Sequence, residues 1–243
     1  FFLKLCLTYK FHLCYGAIDQ FNIGEHKLPS NKSFRLYPFL AKIFQCVIIF
    51  APSGCQQEET KAHWMKYEKG NVCNNCGWSE KICNDVRNQT VFDIARRYSD
   101  INISQGYYES SQYTFSHMKY KSLDLALWHP DMDIPEKFKL NKTKNIRVLH
   151  SYIDENRKSG NKNIKGSPYI IEAINRLKNE GFYIEYMYLN KVNPIEMKYY
   201  QAQADIIVEQ LIYGWWGSTG VETITLGKPV VCFVRKSFKD RPL

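Results

Sequence analysis

The chain has 243 residues, 44% hydrophobic and 23% charged: enough apolar side chain for a sizeable core and too much for wholesale disorder. Its formal charge of +9 is spread evenly, with 14 Lys/Arg against 10 Asp/Glu in residues 1–120 and 19 against 14 in residues 121–243. No dense basic tract stands out, which argues against a nucleic-acid partner; the excess suits a phosphate-bearing small molecule, an anionic membrane surface, or equally a solvated Lys-rich exterior.

The chain opens on Phe1-Phe2-Leu3 and stops at Pro242-Leu243, soon after an apolar run, so a fragment lacking both natural ends is expected. No run of about 18 apolar residues marks a transmembrane helix. Lys4, Lys10 and His12 interrupt the opening stretch, which lacks a clean signal-peptide core. A cytoplasmic location is expected, compatible with peripheral membrane association. In a reducing compartment the eight cysteines are not a disulfide framework.

Residues 46–50 (CVIIF) read as a buried strand that ends at Ala51-Pro52-Ser53-Gly54. Residues 55–90 are polar, aromatic and cysteine-bearing, and read as a loop-rich insert. Residues 91–98 predict a short helix and 100–104 a strand. Residues 123–135, with Trp128-His129-Pro130, link the two halves.

The second half is more regular. Residues 146–150 (IRVLH) predict a buried strand. Ser167 offers a helix cap and Pro168 suits the first helical position. Ile170, Ile171, Ile174 and Leu177 follow at helical spacing, and Gly181 closes the helix. Residues 183–189 predict a strand. Asn193-Pro194 repeats the cap-plus-proline start of a helix reaching about residue 204. Residues 205–208 (DIIV) predict a third strand. After a Gly- and Trp-rich loop, Ser218 or Thr219 begins a helix that Gly227 ends, and residues 229–234 (PVVCFV) predict a fourth strand. Strands alternating with helices imply βαβ units and a parallel sheet, with ligands at the carboxyl ends of the strands. The loops after His150 and Val208 should therefore face the ligand.

The stretch from Ala204 to Val231 (ADIIVEQLIYGWWGSTGVETITLGKPVV), with Asn161-Lys162-Asn163-Ile164-Lys165-Gly166 upstream, resembles the donor domain of retaining glycosyltransferases of the large family 4 type. That family shows a strand, an Asn-Arg-x-x-Lys-Gly turn, an acidic residue in a Gly-rich loop and, eight residues on, a Glu opening a helix before a Gly-Lys-Pro-Val strand. The resemblance implies a GT-B fold of two Rossmann-like α/β domains. Residues 1–125 would be a partial acceptor-side domain, and 126–243 the nucleotide-sugar donor domain, truncated at its end. It implies sugar transfer from a nucleotide-diphosphate sugar to a glycan, lipid or other acceptor, with retention, in cell-surface polysaccharide biosynthesis. The leaving phosphate would accept the acceptor's proton, no cofactor would be required, and catalysis would rest on positioning and electrostatics.

Residue by residue, Lys162 and Lys165 match the cations that neutralise the leaving diphosphate; alone they would read as an exposed Lys-rich turn. Gly217, Ser218, Thr219 and Gly220 fall where a helix N-terminus would bind phosphate. Glu222 matches the carboxylate that accepts hydrogen bonds from the ribose. The family's earlier acid falls on Gly214, so sugar recognition differs or Glu209 supplies the carboxylate; Trp215 and Trp216 offer stacking faces or belong to a core or lid. Other departures are an insertion around residues 153–160 and Pro52-Ser53-Gly54 in place of a His-Gly loop. His12 and His129 are acceptor-side candidates.

Cys55, Cys73, Cys76 and Cys83 form C-x17-C-x2-C-x6-C, a spacing able to give four thiolates to a structural zinc, with His63 as an alternative ligand; unligated thiols are the plainer reading. Cys6, Cys14, Cys46 and Cys232 sit in apolar runs and read as buried small hydrophobes. Two further function classes stay open: a non-catalytic nucleotide-sugar-binding relative, and a zinc-stapled nucleic-acid-binding module.

Overall fold

Short apolar runs separated by helix-length segments fold here into parallel sheets, whose crossover connections need such spacing. The computed structural model describes residues 2–15, 36–51, 61–66, 71–77, 83, 85–103, 123–151, 163–214 and 217–235. The chain divides into two compact units, Phe1–Tyr67 with Ile82–Lys121, and Glu68–Lys81 with Ser122–Leu243.

The described elements of the first unit are α1 (Phe2–Thr8), β1 (Phe11–Tyr15), α2 (Leu36–Ile43), β2 (Val47–Ala51), α3 (Lys61–Trp64), α5 (Asp85–Tyr98) and β3 (Ile101–Asn102); α4 (Asn71–Asn74) belongs to the second unit. The three strands pair in parallel in the order β1-β2-β3. Ile48 and Phe50 of β2 are buried against Cys6 of α1, Tyr37 and Ala41 of α2 and Ile94 of α5. That packing explains α1 and α2, for which the local pattern predicts no element: their apolar residues are helical because they cover a sheet. The insert is less loop-like than its composition suggests, since α3 and α4 lie within it. α5 begins at Asp85, six residues before the predicted start at Val91. Asp85 lies in its first turn and Arg96 and Arg97 in its last, which complements the helix dipole. The Asp85 carboxylate also accepts the N–H groups of Lys61 and Ala62 at the start of α3.

Asp100 ties α2 to β2. Its carboxylate accepts the Ile48 N–H at 2.8 Å and pairs with Lys42 of α2. Burial pushes this carboxyl up, but the hydrogen bonds from Lys42 and Ile48 and the Lys42 charge outweigh it and hold it below the ordinary value of 3.8. A lowered folded-state value means that the stabilisation is complete above the ordinary value and is lost as pH falls through the lowered one. Asp100→Asn is expected to remove this part of the acid sensitivity. Melting temperatures between about pH 5 and about pH 2 check it; wild type and variant falling in parallel would contradict it.

The second unit carries β4 (Ile146–Ser151), α6 (Ser167–Asn179), β5 (Ile184–Leu189), α7 (Pro194–Ala202), β6 (Ile206–Val208), α8 (Ser218–Thr225) and β7 (Val230–Val231). Its strands are parallel, in the order β5-β4-β6-β7. Both faces of the sheet are covered. Val148 and Ile184 pack with Ile170 and Ile174 of α6, while Leu149 and Ile207 pack with Ala204 and, from α7, Tyr200. Burial on both faces is why β4 sets apolar residues side by side, at Val148 and Leu149, rather than in alternation. The Asn193 side chain accepts the Ile195 N–H at 3.0 Å, and Pro194 opens α7, as the cap-plus-proline pattern predicts.

Two details differ from expectation. Ser167 is the first helical residue of α6 rather than its cap; the cap position is Gly166, at φ +77°. The side chain of Asn163 closes the turn that leads into the helix, accepting the N–H groups of Lys165 and Gly166, each at 3.1 Å. β7 spans two residues rather than six, because β6 offers it only Ile207 and Val208 as partners.

Candidate functional site

The chain leaves β4 toward β5 on one side and later sets β6 on the other side of β4. The carboxyl ends of β4 and β6 therefore flank the point where the connections diverge, the place where open parallel sheets bind ligands. The segments following these two strands are bonded to each other. Leu211 N–H donates to the Lys165 carbonyl at 3.0 Å, which fixes the turn before α6 against the loop after β6.

Lys165 and Glu209 meet across that junction, with Nζ 2.9 Å from Oε1. The lysine side chain is 18% exposed and the glutamate 0%. The other carboxylate oxygen, Oε2, accepts the Gly217 N–H at 2.8 Å. Gly217 caps α8 in extended conformation, and the first-turn N–H groups of Ser218 and Thr219 point out of the helix without intrahelical acceptors. A Cβ on Gly217 would stand 2.5 Å from Glu209 Oε1, so the carboxylate's position requires glycine there. One ammonium, one helix-end N–H and one buried carboxylate thus form a compact cradle. Glu209 receives from the protein what a phosphate oxygen would receive from a ligand site. Burial first, and the Glu209 charge second, push the half-buried Cys232 thiol up to about 11, so it is protonated and a poor nucleophile at neutral pH.

Beside the cradle, His150 at the end of β4 is fully buried. Its Nδ1 lies 2.9 Å from the Val208 carbonyl and its Nε2 2.7 Å from Ser167 Oγ. A carbonyl only accepts, so Nδ1 carries the hydrogen and, in the neutral ring, Nε2 accepts the Ser167 hydroxyl. His150, Asn163 and Ser167 therefore hold the strand end, the Lys165 turn and the start of α6 together. The sequence pattern offered Ser167 as a helix cap and gave His150 and Asn163 no such role; the available signal was a His ending a buried strand and an Asn three residues before a glycine.

Gly214 lies at φ +85°, and a Cβ there would meet Arg235 Cγ at 2.4 Å and Nε at 2.5 Å. The place where the family carries an acid is filled by a buried arginine side chain. Glu222 lies in α8 and accepts a hydrogen bond from Gln201 of α7 at 3.3 Å. Lys162, Trp215 and Trp216 lie outside the described residues, as do the insertion at 153–160 and Pro52-Ser53-Gly54.

Of the cysteine set, Cys73 and Cys76 are buried at a tight turn, the Cys76 N–H donating to the Cys73 carbonyl at 3.2 Å, and Cys83 is half-buried. Cys55 and the His63 side chain lie outside the described residues. Cys6, Cys14 and Cys46 are buried as expected, whereas Cys232 is only half-buried. His129 is half-buried. His12 is buried in the first unit, against Tyr37. A shallow surface of about 740 Å³ runs along the outer face of α6 past Pro168, Ile171 and Arg176. Neither Lys165 nor Glu209 lines it, and its cation Arg176 is paired with Glu180.

No known protein-family model matches the chain, and no curated protein matches it. Fold and site define an α/β protein with two parallel sheets flanked by helices. Among the described residues no helix is long and apolar enough to cross a membrane.

Proposed function

We propose that this chain is part of a retaining GT-B glycosyltransferase, with residues 126–243 as the domain that binds a nucleotide-diphosphate sugar. The observation that carries the reading is the Lys165–Glu209–Gly217 cradle at the divergence of β4 and β6. A diphosphate placed there lies against the first turn of α8, where N–H groups without intrahelical acceptors and the helix dipole favour negative charge. Lys165 is held at the same spot and neutralises charge growing on the leaving group, with Lys162 as its partner in sequence. Glu209 acts inside the protein, holding the lysine and the glycine loop in place before the donor arrives. Glu222 is assigned to the ribose. The acceptor is a glycan or a lipid-linked chain at the cytoplasmic face of a membrane, and the product serves cell-surface polysaccharide synthesis.

A second reading, a nucleotide-sugar-binding relative that does not turn over, is favoured by one observation: Arg235 fills the space beside Gly214 that an acidic side chain would need. Calorimetric titration of the chain with UDP-, GDP-, ADP- and CDP-sugars tests both. We expect one nucleotide class to bind, and Lys165→Ala and Glu222→Ala, each checked for folding by circular dichroism, to weaken it by about tenfold or more, the loss of one charge-assisted contact. Release of free sugar or transfer to an acceptor separates enzyme from binder. Absence of binding to all four classes, by this chain and by a longer one containing it, sinks both readings.

A further inference from the structure

We propose that Cys6, His12 and Cys46 bind a thiophilic d10 cation, zinc(II) or copper(I), in the core of the first unit. The three come from separate places: Cys6 from α1, His12 from β1, and Cys46 from the residue before β2. They are 0%, 6% and 3% exposed. Their ligand atoms all lie within 4.8 Å of one another. Two thiolates and an imidazole around one ion sit about 3.5–3.8 Å apart, given metal–sulfur and metal–nitrogen bonds of about 2.3 and 2.1 Å. The site therefore needs a contraction of no more than about 1 Å and no change of fold.

The surroundings are those of a metal-binding histidine. His12 Nε2 and Cys46 Sγ both donate to the Tyr9 carbonyl, at 2.9 and 3.5 Å, so Nε2 is the ring nitrogen on the cysteine side and carries the hydrogen in the metal-free chain. The opposite nitrogen, Nδ1, is 2.6 Å from the Tyr37 hydroxyl, and the two rings stack at 5.6 Å. An ion on Nε2 replaces the hydrogen bond to Tyr9 and moves the ring hydrogen to Nδ1, which then donates to the Tyr37 hydroxyl and so fixes the tautomer and the ring. Cys14 is 3.8 Å from the same hydroxyl but stands outside the converging group. Soft thiolates select zinc or cuprous copper over harder ions. Three donors complete a trigonal copper(I) site, whereas zinc takes a fourth donor. Binding converts two thiols to thiolates, so up to two protons leave per ion.

The test uses the full chain, reduced and metal-free, titrated with zinc(II), cobalt(II) as a coloured zinc substitute, and copper(I) against a chromophoric chelator. We expect one ion per chain at this site and an X-ray absorption spectrum with two sulfurs and one nitrogen from the protein. That spectrum is read on the wild type, so it does not depend on variants that fail to fold. Cys6→Ser, Cys46→Ser and His12→Gln should each weaken binding by more than about tenfold, and Tyr37→Phe by about tenfold. Cys14→Ser and the Cys73→Ser/Cys76→Ser pair should leave this ion in place. Tight zinc with weak copper(I) identifies a four-donor site, and the reverse a trigonal one; either supports the proposal. A reduced wild-type chain that binds none of these ions overturns it, as does an ion held by four sulfurs and lost only with Cys73 and Cys76. A Cys6–Cys46 disulfide in a chain that binds no ion when reduced makes the pair redox chemistry instead.

Discussion

Lys165→Ala is expected to destabilise the second unit by about 2–4 kcal/mol. Removing one member of a buried ion pair costs about 3–5 kcal/mol, because the partner charge stays in the interior. The lysine's 18% exposure lets water reach part of the vacated space, which lowers the figure. Glu209 keeps the Gly217 N–H, but one hydrogen bond does not replace an ammonium at 2.9 Å. The penalty belongs to the stranded carboxylate, so Glu209→Gln in the same chain should recover much of it. Urea unfolding of both single variants and the double variant measures the coupling. A Lys165→Ala cost under about 0.5 kcal/mol, or no recovery in the double variant, would show that the pair contributes no more than an exposed surface bridge.

Gly214→Asp, the substitution that restores the acid of the glycosyltransferase pattern, is expected to destabilise by about 2–5 kcal/mol rather than to improve function. About 1–2 kcal/mol comes from a side chain at φ +85°. About 1–3 kcal/mol more comes from pushing the buried Arg235 side chain out of the space the new Cβ needs. Gly181 separates the two contributions. It lies at φ +97° with nothing within 4 Å of the point a Cβ would occupy, so Gly181→Ala carries the backbone cost alone. Thermal melts of Gly214→Ala and Gly181→Ala should differ by the Arg235 contribution. Equal losses would mean that Arg235 moves aside freely, and a Gly214→Asp chain of wild-type stability with tighter donor binding would refute the expectation outright.

Much of the second unit was legible locally. Asn193-Pro194 opens a helix because an Asn side chain reaches its neighbour's N–H two residues on, whatever the rest of the chain does. Gly181 and Gly227 end helices at positive φ for an equally local reason, the missing Cβ. The first unit was less legible. α1 and α2 have no comparable terminal signals and owe their form to a sheet assembled from separate segments of the chain.

The candidate site divides the same way. Local pattern carries the alternation of strand and helix, the parallel pairing this favours, and the placing of Lys165 and Gly217 on loops at the carboxyl ends of strands. Long-range packing sets β5 and β6 on opposite sides of β4, which puts those two loops together. It also decided that Glu209, 44 residues from Lys165, occupies the cradle, that Arg235 claims the space beside Gly214, and that Cys6 and Cys46 close on His12 across 40 residues. Hydrogen bonds within a turn and side-chain periodicity act over three or four residues and leave their mark in the local pattern. Contacts between distant segments depend on how whole elements pack, and no local pattern records that choice.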